Sequence, residues 1–444
     1  MKKQIHLSDH FSYGKLLRFT LPSIIMMIFT SVYSVVDGLF VSNFVGKTAF
    51  AAINLIMPVL NILGTFGYMF GAGGSALIAK TLGEQEREKA NRLFSLFVYL
   101  SIGFGVLMML LGIFFMRPIA AGLGAEGQLL EDCLTYGRIF ILALPAWILL
   151  YEFQLFFVTA EKPKLGLIVT VAAGVTNIVL DALFIVVFKW GIAGAAAASA
   201  LSQMVGGIFP LIYFGRRNSS LLKLTKTSFD GRAVFKCCTN GSSELLSGIA
   251  MSLVGIVYNM QLMKYAGEDG VAAYGVLMYV SMIFAAAFLG YSSGVAPVFG
   301  YHYGANDYGE LKGLLKKSLI IIGTFSISMF VLSEGLAHPI SAVFVGYDKQ
   351  LMELTVNGFV IYSFAYLFMG MAIFSSSFFT ALNNGLVSAV ISFLRTLVFE
   401  LGAVLLLPLI WEINGIWASI VVAEFMATVV GVIFMIGLKK KYRY

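Results

Sequence analysis

TLPSIIMMIFTSVYSVVDGLFV, residues 20–41, holds one proline and one aspartate among residues that are otherwise small, apolar or merely hydroxyl-bearing. About 20 such residues, coiled as a helix, cover the roughly 30 Å hydrocarbon core of a bilayer. The segment reads as a membrane span near 16–41, with Asp37 inside it. The rest of the chain repeats the pattern. Of its 444 residues, 59% are hydrophobic and 12% charged, outside the balance of a soluble domain. Breaking the chain at its charged and Gly/Pro/Asn-rich punctuation predicts spans near 16–41, 50–79, 93–116, 136–158, 165–188, 192–214, 238–263, 271–300, 314–338, 355–381, 386–410 and 414–437. No sustained period-two alternation with a polar inner face is present, so a membrane barrel is excluded. The expected fold is all-α and polytopic, with twelve transmembrane helices.

The mostly polar residues 1–15 precede a first run too long for the core of a cleavable signal, so the first helix is expected to stay. Assigning basic residues alternately to the two sides puts 23 of the 30 Lys and Arg with the termini and even-numbered loops. Lys47, Arg117, Arg138, Lys189, Lys264 and Lys349 fall on the other side, and Arg395 falls in a span. Basic residues favour the cytoplasmic side, which predicts cytoplasmic termini in a multi-pass protein of the inner (cytoplasmic) membrane. The net charge of +7 therefore reflects topology and calls for no nucleic acid. Cys133 and the adjacent Cys237 and Cys238 have no metal-ligand spacing and read as free thiols.

The chain also reads as a duplication. At a shift of 221 residues Gly46 meets Gly267, Gly73 meets Gly294, Gly83 meets Gly304, Gly137 meets Gly358, and Thr159-Ala160 meets Thr380-Ala381. This divides it into an N-terminal six-helix lobe (1–214), a cytoplasmic linker (215–237) and a C-terminal six-helix lobe (238–444). An even number of spans per half makes the halves parallel repeats, a build common among secondary transporters that open alternately to the two faces.

Six carboxylates fall inside spans: Asp37, Glu152, Asp181, Glu244, Glu400 and Glu424. An acid at a helix centre costs about 2.5–3.5 kcal/mol on insertion scales, so each needs a partner, a wet cavity or a function. Asn177 and Asp181, at i and i+4, share a helical face, and Ser199 on the next span can join them. With Asp37 they form an oxygen-only set, suited to a hard cation such as sodium and equally to a shared proton. The set belongs to the first half, because the shift places Asp37 on Tyr258, Asn177 on Val398, Asp181 on Gly402 and Ser199 on Ile420. The second half carries Glu244 and Glu424 instead, candidates for substrate binding, with Glu244 about six residues into its span. Arg395 is a candidate partner for Glu400 or for another helix. A structural reading of Asp37 as a partner of Ser34 stands beside the functional one. YLFMGMAIF (366–374) reads as packing or lipid-facing surface.

VVDGLFV (35–41), NIVLD (177–181), GEQEREKA (83–90) with its counterpart YGAND (303–307), VAAYGV (271–276) and PVFGYHYGA (297–305) resemble the multidrug and toxic compound extrusion family, most closely its bacterial DinF-like branch. The resemblance covers about residues 10–438. It implies a cation-coupled exporter whose first lobe binds sodium or protons through Asp37, Asn177, Asp181 and Ser199. It further implies a place for Tyr136, at the start of the fourth span, in the same polar network, and a bend at Pro22. No cofactor and no obligate protein partner are expected, only the bilayer and a small organic, cationic and amphipathic substrate. A lipid-linked saccharide flippase shares the scaffold but calls for embedded basic residues, and only Arg395 qualifies. A membrane enzyme using Asp37 and Asp181 as acid and base is a third reading. Gly46-Lys47-Thr48 lacks the first glycine of a phosphate loop, and no HExxH, GxSxG or GxGxxG occurs.

Overall fold

The computed structural model describes residues 5–444, leaving out the side chains of Ser34, Val35, Leu39, Ser42 and Lys47. Helix accounts for every span, and no strand occurs among the described residues. The first lobe contains Tyr13–Phe44, Lys47–Gly83, Arg87–Gly122, a bent pair Gly127–Ile141 and Leu144–Thr159, Pro163–Val187, and Gly191–Gly215. In the second lobe Gly231–Gly304 is continuous by hydrogen bonding, yet 74 residues of straight helix would reach about 110 Å. It folds back at Gly267, whose φ of 62° suits a residue without a Cβ. Tyr258 and Tyr274 stack across this turn with ring centroids 5.0 Å apart. Tyr308–Val345, a second bent pair Lys349–Ser363 and Tyr366–Ala381, Gly385–Leu406, and Pro408–Tyr442 complete the lobe. With the fold-back, twelve crossings result among the described residues. Large exposed side chains such as Phe114, Leu409 and Ile433 form a lipid-facing surface.

Turn chemistry carries the duplication. Left-handed residues recur at matching corners: Gln85 and Asn306, Glu161 and Asn383, and the paired glycines Gly46 and Gly267. The fourth and tenth spans bend by 57° and 48° at corresponding breaks. Two of the changed span boundaries bear on candidate residues. The fourth span begins at Gly127, which puts Tyr136 well inside it. The connection between lobes is shorter than 215–237, because the seventh helix starts at Gly231, capped by the Asp230 carboxylate on the N–H groups of Arg232 and Ala233. Glu244 consequently lies about 20 Å along its helix rather than near an end. Residues of the connection bond along the third helix, with Lys223 N–H donating to Asn91 and Thr225 N–H to Ser95, so it is not a loose linker. The first helix runs through Pro22 without a break, one backbone donor short.

The lobes meet in the half of the molecule nearest the termini. Gly73 lies so close to Cys237, Gly241 to Met69, and Gly304 to Lys80 that a Cβ on any of these glycines would fall about 2 Å from a carbonyl oxygen. Asn383 Nδ2 donates to Ala76 O at 3.0 Å across the same seam. Further along the seventh helix Gly255 meets nothing within 4 Å, and Gly275 on the eighth likewise, so the close glycine contacts belong to the end nearest the termini. Gly73→Val is expected to destabilise the protein by about 1–3 kcal/mol through overpacking against immovable backbone. Gly103→Val, at a position with open space, should stay within about 0.5 kcal/mol of wild type. Thermal unfolding of the purified protein compares the two.

Candidate functional site

All five first-lobe polar residues singled out in the sequence come together. Asp37 projects from the first helix, Tyr136 from the fourth, Asn177 and Asp181 from the fifth, and Ser199 from the sixth. Asp37 lies against both Asp181 and Asn177. Asn177 Nδ2 donates to Ser199 Oγ at 3.4 Å, and the Tyr136 hydroxyl also reaches Ser199. Asp181, Asn177, Tyr136 and Ser199 are all buried. The i, i+4 spacing aims Asn177 and Asp181 the same way, and the helix turns π-helical directly after Asp181, over Ala182–Val187. Such turns gather at functional sites.

Asp37 Oδ1, Asn177 Oδ1 and both Asp181 carboxylate oxygens are buried without a hydrogen-bond partner in the protein. Because Asn177 spends an N–H on Ser199, its free atom is an acceptor. Four orphaned acceptors with no protein donor fit a bound proton or a hard monovalent cation, and two adjacent carboxyls in an apolar lobe require one or the other. The Ser34 side chain, the alternative partner for Asp37, lies outside the described residues.

The second lobe is arranged differently. Arg395 Nε donates to Glu424 Oε1 and Oε2 at 3.1 and 3.0 Å, and Nη2 donates to Oε1 at 2.6 Å. Both Glu424 carboxylate oxygens are therefore engaged in an interhelical fork. Arg395 makes its hydrogen-bonded ion pair with another helix, while Glu400 interacts with it electrostatically. A second π-helical stretch, Leu394–Glu400, carries both Arg395 and Glu400. Glu244 interacts with Arg395 and with Tyr68 of the first lobe, so it faces the seam between the lobes. Tyr258, which occupies the position matching Asp37, is buried with its hydroxyl unbonded. YLFMGMAIF turns out to be packing, with Tyr366, Met369, Ile373 and Phe374 all buried. Glu152 was legible only as one more embedded acid. It is fully buried beside Ser101, with neither carboxylate oxygen hydrogen-bonded.

Two six-helix lobes joined by a glycine seam near one membrane face, with a buried oxygen site inside the first, define a polytopic membrane protein of the transporter class. The MatE family profile matches residues 22–183 and 245–404, one stretch in each lobe, and the chain belongs to that family of transporters, which are not enzymes. The multidrug export protein MepA of Staphylococcus saprophyticus is 25% identical over 443 residues, covering 96% of this chain and 94% of its own. MepA of Staphylococcus aureus strain MRSA252 is 24% identical over 440 residues, covering 97% and 94%. In fold the chain is similar to a multidrug resistance MATE transporter solved in an outward-facing conformation, with a TM-score of 0.93 at 21% identity over 100% of this chain and 99% of that one.

Proposed function

We propose that this protein is a cation-coupled antiporter that exports amphipathic organic cations by alternating access. The observation that carries the reading is the contrast between the lobes. The first holds orphaned acidic oxygens awaiting a cation, while Glu424, a buried acid of the second, already has a tethered guanidinium. Asp37, Asn177, Asp181 and Ser199 are the ligands for sodium or a proton, Tyr136 braces Ser199, and Pro22 gives the first helix its flexible point. Glu244, at the lobe seam, is the carboxylate placed to meet a cationic substrate. The termini lie in the cytoplasm, so the packed glycine seam closes the cytoplasmic face, which suits the state that releases substrate outward and admits the coupling ion. One proton falling through one pH unit yields about 1.4 kcal/mol, and one charge crossing 100 mV adds about 2.3 kcal/mol, enough to concentrate a substrate outward.

Efflux of a fluorescent organic cation from proteoliposomes, under a sodium gradient alone and a pH gradient alone, tests this. Efflux under one gradient, with substrate chemically unaltered, is expected. No response to either gradient overturns cation coupling. A lipid flippase needs free embedded basic groups, and the fork to Glu424 leaves Arg395 unsuited to a phosphate.

A further inference from the structure

The six residues HLSDHF, 6–11, ahead of the first helix, touch both lobes. His6 Nδ1 donates to Glu161 Oε2 at 2.7 Å, and the Leu7 N–H donates to Glu161 Oε1 at 2.7 Å. Four residues on, the pattern repeats: His10 Nδ1 donates to Glu310 Oε2 at 2.5 Å, and the Phe11 N–H donates to Glu310 Oε1 at 2.9 Å. A carboxylate only accepts, so in both cases the ring proton sits on Nδ1. Each glutamate thus grips one imidazole and the next backbone amide with its two oxygens.

The two grips belong to different lobes. Glu161 occupies the left-handed corner between the fourth and fifth spans of the first lobe. Glu310 lies in the first turn of the ninth helix in the second, where the Lys317 ammonium donates to Phe11 O. Between them the chain makes a turn, closed by Asp9 N–H to His6 O at 3.1 Å and held by a Lys15–Asp9 ion pair at 2.8 Å. Leu7 and Phe11 are fully buried, which anchors the segment to the protein at the same two places. Neither glutamate has a glutamate at the position 221 residues away, so the pair is not inherited from the duplication.

We propose that residues 5–11 are a strap across the closed face of the transporter, clamped to one lobe by Glu161 and to the other by Glu310, which holds that face shut until one clamp lets go. The inference rests on the alternating-access reading only in supposing that this face opens. Four residues reach at most about 14 Å fully extended, so parting the lobes there must first undo the turn and then a clamp. The strap therefore sets how often the outward-open form converts to the opposite one.

The two clamps act in series, and that gives the test a signature. In the full-length protein, with Cys238→Ser to limit background labelling, spin labels at Lys164→Cys and Lys312→Cys, both exposed, report the separation of the lobes at this face by electron spin resonance. No substrate or gradient is needed, so the result stands whatever the efflux assay gives. Glu161→Ala and Glu310→Ala are each expected to raise the ratio of long to short separations at least about tenfold, the scale of one charge-assisted hydrogen bond. The double variant should add less than about twofold, because a strap freed at one end is already free. His6→Ala and His10→Ala repeat the test with the carboxylates intact. Unchanged separations, or effects of the two clamps that multiply, overturn the proposal.

Discussion

Asp37→Asn or Asp181→Asn is expected to lower gradient-driven export at least about a hundredfold while leaving a folded protein in the membrane. Asp37 contributes one orphaned oxygen and Asp181 two, and neutralising either acid removes charge from the proposed cation site. Breaking a buried charge pair costs about 3–5 kcal/mol, which is more than a hundredfold in occupancy. Tyr258→Phe is the matched control at the equivalent level of the second lobe. Its hydroxyl is buried without a hydrogen bond, so deleting it removes no interaction and should leave export within about threefold of wild type. Efflux from proteoliposomes compares the three variants, with binding of the coupling ion to detergent-solubilised protein as a second readout. Equal losses in all three would end the idea of a coupling site confined to one lobe.

The second large effect concerns stability. Arg395→Met strands Glu424, a fully buried carboxylate, and is expected to destabilise the second lobe by about 3–5 kcal/mol, read as a marked fall in Tm. Adding Glu424→Leu should recover most of the loss, since replacing both members of a buried pair with apolar groups is close to neutral. If the double variant melts no higher than Arg395→Met alone, the fork is not what holds these helices together. The same double variant removes charge from the second lobe only, so its export should still depend on a gradient.

Much of the architecture was legible because its signals are local or periodic. Apolar runs of spanning length and glycines repeating at one offset both reside in the sequence itself. The first-lobe site was also legible, since an acid in a span is costly enough to stand out and Asn177 and Asp181 announce a shared face by their spacing. What escaped depends on contacts between distant residues. Nothing local ties Glu424 to Arg395, and no periodicity marks the clamp of Glu161 on His6 or of Glu310 on His10. Span boundaries slipped where helix continues past its apolar stretch. That is why Tyr136 seemed to open a helix it sits within, and why Glu244 seemed close to an end.

The π-helical stretches bear on how the halves compare. A wider turn inserts about one residue into a helix, and one residue is about 100° of rotation. In the fifth helix the insertion follows Asp181, whereas in the eleventh it runs from Leu394 to Glu400, earlier by the count of the repeat. Between those two levels, residues that match in a gapless alignment point to different azimuths around their helices. Asp181 and Gly402 are counterparts in number but not in direction. A displaced insertion lets an ancestral pair of identical bundles turn different side chains inward without moving a single helix axis, and so divide their chemistry while keeping one frame.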